Sequence, residues 1–323
     1  MSTPQIKFDP ALMEAVVTRA LAARVLFPAE FTERDFHAEA DPLYRIKNPD
    51  QRAARFRELF ARWFSRGQFD RPFADALAEL PEVERAVSLV TVTGAASQAE
   101  ERADLATASG TLLSAESGKL WLGISIQPAR FTNRPSLRRW LRHELWHVQD
   151  ILDPAFEYAR EDLASAEAER LPQRVVQDRY AMLWSLAIDA RVERTGLLPL
   201  RSREERVARA VAAFPGFSEE AHREVVATMG ITRGTRHPEL VELARRPGKL
   251  FSSNAQPKEP AQPLRGSACP LCRFPTFQWA DLARGDVAPV VRAISQAYPA
   301  WHQAQGVCTT CFDLFSIRSG IWV

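Results

Sequence analysis

Two groups of residues in this chain have the types and spacing that chemistry requires. His143-Glu144-Leu145-Trp146-His147 sets two imidazoles four residues apart with a carboxylate between them, and Cys269-x-x-Cys272 with Cys308-x-x-Cys311 gathers all four cysteines into two pairs. On a helix, four residues are about one turn, so His143 and His147 share a face and can reach one ion, while Glu144, rotated by about 100°, borders the same space. Zinc held by three protein ligands keeps a fourth position for water, lowers that water's pKa to about 7 and polarises a carbonyl. Glu144 stands where it can take the water's proton and pass it to a leaving amine.

Those side chains need a helix beneath them. The periodicity predicts one over Ser136 to Asp150, with Pro135 near its start and Pro154 closing it. Strands are expected before it: Val87-Ser-Leu-Val-Thr-Val-Thr93 is rich in β-branched residues and closed by Gly94, and Leu120, Leu122, Ile124 and Ile126 alternate with Trp121, Gly123 and Ser125. Asp9-Pro10 and Asn48-Pro49 read as helix starts, and each is followed by apolar residues at helical spacing. After the motif, helices are expected over roughly Ala155 to Arg170 and Gln173 to Arg194. The fold class is therefore α+β and mostly helical, with a small sheet before the motif helix.

At His143, Glu144 and His147 the sequence resembles the zincin metallopeptidases, over a span of about Val87 to Gly196. The resemblance implies a zinc-dependent metallopeptidase that cleaves peptide or amide bonds of a peptide or protein substrate. It also implies a substrate-binding edge strand, which would be Leu120 to Gln127. In the metzincin pattern a glycine follows the second histidine by three residues and a ligand by six; here those positions hold Asp150 and Asp153. The departure turns the comparison toward the gluzincins, whose third ligand is a carboxylate from a later helix. Met182, Leu186, Asp189 and Glu193 fall within about 60° on a helical wheel, so two carboxylates extend an apolar face. Buried carboxylates need a cation, which is either zinc or a neighbour such as Arg191. Glu193 is the expected ligand with Asp189 orienting a histidine, and the reverse assignment stays open. Asp150 either orients an imidazole or is a solvated helix-end charge, and the oxyanion donor is open among Tyr158, Tyr180, Arg191, His222 and His237.

Each C-x-x-C pair can form a knuckle that presents two thiolates, and the two together suggest a four-cysteine zinc ribbon. With no open position its zinc is structural, so two zinc ions are expected, one catalytic and one structural. Arg273 follows the first pair where ribbon knuckles often carry glycine. The proline-rich stretch from Arg246 to Ala268 reads as a linker. The expected organisation is a metallohydrolase domain over 1–249, a linker over 250–266 and the ribbon over 267–323.

Composition narrows the classes. The chain has 323 residues, is 46% hydrophobic and 25% charged, and carries a net charge of +2 with both signs interspersed. Nothing in that pattern calls for a nucleic acid or an anionic membrane. No signal-like or membrane-spanning run is present, so a cytoplasmic location is expected. Two other functions stay open. Glu144-x-x-His147 and Glu219-x-x-His222 could be the paired motifs of a di-iron carboxylate protein, or the ribbon could bind a protein partner in a non-catalytic adaptor.

Overall fold

The computed structural model describes residues 3–23, 32–107, 120–159, 173–232, 234–251, 263, 266–282, 287–299 and 301–318. Helix dominates, with one small mixed sheet, as expected for an α+β chain. The chain divides into two compact units, Met1–Pro154 with Leu198–Leu200, and Ala155–Leu197 with Arg201–Val323.

The first unit begins with strand β1 (Gln5–Phe8) and helix α1 (Pro10–Ala22), which is capped by the Asp9 carboxylate on the amides of Ala11 and Leu12. Helices α2 (Glu33–Ala40), α3 (Pro49–Arg66), α4 (Arg71–Ala78) and α5 (Pro81–Ala86) lead to β2 (Val87–Gly94), β3 (Arg102–Thr107), β4 (Leu120–Ile126) and α6 (Arg134–Leu152). The sheet order is β1-β2-β4-β3, parallel except for β3, which runs antiparallel to β4. Two-residue alternation sends Leu122, Ile124 and Ile126 inward and leaves Trp121 39% exposed. Together with Val90 and Val92 they join one core with Val16 and Val17 of α1, Trp63 of α3, and Leu141, Leu145 and Val148 of α6.

The expected strands and the motif helix therefore form, but the edge assignment changes. Leu120 to Gln127 is not an edge, because β4 is paired on both sides, with β2 and with β3. The outer strand next to it is β3, which was not anticipated. Its sequence, Arg-Ala-Asp-Leu-Ala-Thr, is poor in β-branched residues, and only its alternation of exposed Arg102 and Asp104 with buried Ala103 and Leu105 marks it.

A buried ion pair holds the start of β3. Arg130, in the turn before α6, makes bonds of 2.6 and 2.7 Å to the Glu101 carboxylate, which also accepts from the Gln127 amide at 3.0 Å. The Glu101 side chain is only 2% exposed. Glu101→Gln leaves the arginine without its counter-charge and is expected to cost about 3 kcal/mol. It should appear as a lower urea midpoint with an unchanged slope.

In the second unit α7 (Gln173–Arg194) is buried along most of its length, from Val175 to Val192. It packs on α8 (Arg203–Ala213), α9 (Glu219–Thr228) and α10 (His237–Arg245). Expected helix over Ala155 to Arg170 does not start as such: Pro154–Phe156 is one 3-10 turn, Glu157 has φ 58°, and residues 160–170 lie outside the described set. Most of the expected linker, 252–262 and 264–265, also lies outside it. At the tail, α11 (Ala288–Ala297) and α12 (Thr309–Arg318) bury Val290, Ile294, Trp301, Val307, Phe312 and Phe315. Phe274, Phe277 and Tyr298 lie outside that core and are 73%, 43% and 41% exposed. No helix among the described residues is long and apolar enough to cross a membrane.

Candidate metal centres

Helix α6 carries the histidine motif. The Asn133 side chain caps it by accepting from the Ser136 amide at 3.0 Å, and Pro135 fits its first turn, where amides have no helical partner. Leu137, Leu141, Leu145 and Val148 fix its inner face, and Arg142 clamps Glu79 with two bonds of 2.6 and 2.8 Å. This anchoring sets the rotation of the helix and therefore the direction of the motif.

His143 and His147 lie with ring centroids 5.0 Å apart and planes at 78°. His143 is 2% exposed, whereas Glu144 and His147 are partly open. Helix α6 also packs against β3, and Glu144 Oε2 accepts a hydrogen bond from the Ala103 amide at 3.3 Å. Every other amide of an edge strand faces away from its neighbour, and here one of them meets the motif carboxylate. Asp150, one turn beyond His147, is 3% exposed. It is a buried group, which removes the solvated-charge alternative.

The two carboxylates of α7 have arginine neighbours within the second unit. Asp189 is 1% exposed with Arg201 at 3.9 Å; Arg209 also feels its charge, although burial, the larger effect, pulls the Arg209 guanidinium below its ordinary pKa. Glu193 does not extend the buried face: its side chain is 56% exposed and bonded at 2.7 Å to Arg206. Arg201 thus stands beside Asp189 and Arg206 beside Glu193.

Among the described residues, the four cysteines are the one group of three or more His, Cys, Asp or Glu side chains positioned to share an ion. Their sulfurs lie within 4.8 Å of one another. Cys272 and Cys308 are 3.9 Å apart, close to the roughly 3.8 Å that tetrahedral zinc–thiolate geometry implies. The first pair sits on a knuckle: the Cys269 amide bonds Phe274 O at 2.9 Å and the Arg273 amide bonds Cys269 O at 2.7 Å. Arg273 has φ 61°, in the left-handed region where glycine is favoured, so the knuckle keeps its shape despite a side chain. The second pair is not a matching knuckle. Cys308 bridges to Trp279, and Cys311 lies in the first turn of α12, its amide 3.4 Å from Cys308 Sγ.

Electrostatics within the cluster are uneven. Burial alone would raise the Cys269 thiol, but hydrogen bonds from the amides of Cys272, Cys308 and Leu271 bring it down to about 7. Burial pushes Cys308 and Cys311 up, and their sulfur neighbours push Cys311 further. Cys269 is therefore close to its thiolate form near neutrality, and a cation would draw the protons from Cys308 and Cys311.

The second E-x-x-H is used for packing. His222, 1% exposed, has Nδ1 2.7 Å from Ser218 O and Nε2 2.9 Å from Phe214 O, and Glu219 pairs with Arg223 on the surface. With both ring nitrogens against carbonyls, neither presents a lone pair to iron. Of the other residues considered as donors, Tyr180 and His237 are bonded to each other at 2.7 Å inside the second unit.

No protein-family model, no curated protein and no solved structure matches this chain.

Proposed function

We propose that the chain is a zinc-dependent metallopeptidase whose catalytic centre is built on α6 and whose substrate lies along β3. The observation that supports it most is the convergence of three groups: two imidazoles 5.0 Å apart by ring centroid, with the carboxylate between them resting on an amide of the outer strand. His143 and His147 would hold the zinc; the third ligand expected from the sequence is Glu193, with Asp189 as the alternative. Zinc in that position supplies Lewis-acid polarisation of the scissile carbonyl and a water of lowered pKa.

The protein's own groups do the rest. The open edge of β3 offers backbone donors and acceptors to an extended peptide, as strand addition requires. Glu144 takes the proton of the attacking water and returns it to the leaving amine nitrogen. The anchoring of α6 and of Glu101 keeps that carboxylate at the strand edge. The second zinc belongs to Cys269, Cys272, Cys308 and Cys311, where four thiolates leave no open position, so it is structural. Both ring nitrogens of His222 face carbonyls, which weighs against a di-iron centre.

Zinc stoichiometry tests the assignment. Wild type should carry two ions per chain, and His143→Ala or His147→Ala one, with the tail still folded. Glu193→Gln and Asp189→Asn, measured in the same way, test the third ligand expected from the sequence, since the substitution of a ligand should lose the ion. Wild type holding a single zinc, at its thiolates, would overturn the catalytic site. Digestion of an unfolded protein substrate, read by mass spectrometry, supplies the cleavage assay.

A further inference from the structure

A cleft of about 520 Å³ lies wholly within the second unit, between α7, α8 and the segment leading into the cysteine module. That is a size typical of small-molecule sites. Val175, Val211, Phe277 and Trp279 line it with apolar surface, and Phe277 and Val211 are each more than 40% exposed there. Arg179 also lines it and is only 4% exposed.

The guanidinium of Arg179 is incompletely satisfied. Its Nε donates to Ala213 O at 3.2 Å, a reasonable cap for the C-terminal end of α8, and its plane lies 5.0 Å over Phe214. Among the described residues, buried Nη1 has no hydrogen-bond partner and no carboxylate pairs with this arginine. Burial lowers its pKa to about 10, with no opposing charge to raise it. A buried charge without a counter-charge among the described residues is costly, and an anion in the cleft would offset that cost. Capping one carbonyl accounts for one of five donors.

We infer that this cleft binds a carboxylate carried on an apolar body, with Arg179 as its anchor. A guanidinium matches a carboxylate through two parallel bonds. One buried positive charge selects one negative charge, because the rim carries both signs: Asp178 lines the cleft, and the Arg174 guanidinium lies 4.7 Å from the Phe277 ring. The apolar walls favour an aliphatic or aromatic body over a bare polyanion such as phosphate. The site is independent of the zinc chemistry proposed above.

Titration calorimetry on the full chain tests it with phenylacetate, phenylacetamide, inorganic phosphate, and an acetylated dipeptide ending in leucine as the free acid or the amide. Phenylacetate should bind at least tenfold more tightly than phenylacetamide or phosphate. Arg179→Met should weaken phenylacetate by about 30-fold or more and leave phenylacetamide unchanged, with zinc content and circular dichroism unaltered. Should Arg179→Met fail to fold, Arg179→Lys keeps the charge but loses the fork, and a loss of about tenfold is expected. A dipeptide acid bound more tightly than phenylacetate identifies a chain terminus as the source of the carboxylate, and equal or weaker binding identifies a small acid; both support the site. Equal affinity for acid and amide, tighter binding of phosphate, or no carboxylate binding at millimolar concentration would overturn it.

Discussion

Glu144→Gln is expected to slow peptide hydrolysis by about 10²- to 10⁴-fold while the protein keeps both zinc ions. Glutamine has the shape of glutamate and still offers an oxygen to the Ala103 amide, 3.3 Å from the native carboxylate, so the contact between α6 and β3 survives. It cannot take a proton from water at neutral pH. The imidazoles of His143 and His147 are untouched, so metal content separates the two roles. His147→Ala should lose both the catalytic ion and activity. Equal turnover by Glu144→Gln and wild type, with the zinc intact, would remove Glu144 as general base.

Stripping the metal from the four thiolates is expected to unfold the tail. Its core holds few large side chains, among them Val290, Ile294, Trp301 and Phe312, fewer than an independent fold usually needs. A structural zinc contributes on the order of 10 kcal/mol or more to such modules. A Cys272→Ser, Cys311→Ser double substitution should abolish hydrogen-exchange protection in α11 and α12, while α6 and the sheet stay protected. The sign with pH follows from the thiols. Cys308 and Cys311 sit above the ordinary thiol range without metal, so they are protonated at neutrality and must release protons on binding. Zinc-dependent protection is therefore present at neutral and higher pH and is lost on acidification, with affinity changing by about two decades or more per pH unit near neutrality. Protection that survives both the substitutions and acid would mean that the tail folds without metal.

Much of the frame could be read from local pattern. Asp9-Pro10, Asn48-Pro49 and Pro135 are start signals whose cause is contained in a few residues, and α1, α3 and α6 begin there. Helix α7 spans Gln173–Arg194 as its periodicity predicts. The errors arose where partners distant in sequence decide the outcome. Nothing in Leu120 to Ile126 reveals that a weak segment, Arg102–Thr107, pairs with its outer side. On a helical wheel Glu193 looks like an extension of a buried face, yet it is exposed, and Arg206, 13 positions on, takes its charge. Four cysteines in two C-x-x-C pairs announce one cluster, but that spacing is the same for a knuckle and for the first turn of a helix, so the difference between the pairs is hidden. The motif itself was plain in the sequence; its neighbour Ala103 was not, because the contact is made by a backbone amide.

The hydrogen bond between Glu144 and the outer strand has a kinetic meaning in the proposed enzyme. An extended chain zipping onto β3 would compete for the amide that tethers the base, so docking and arming would become one event. Folded proteins, which cannot unroll along that margin, would leave the tether in place, and such an enzyme would discriminate by the conformation of its client before any side chain is inspected.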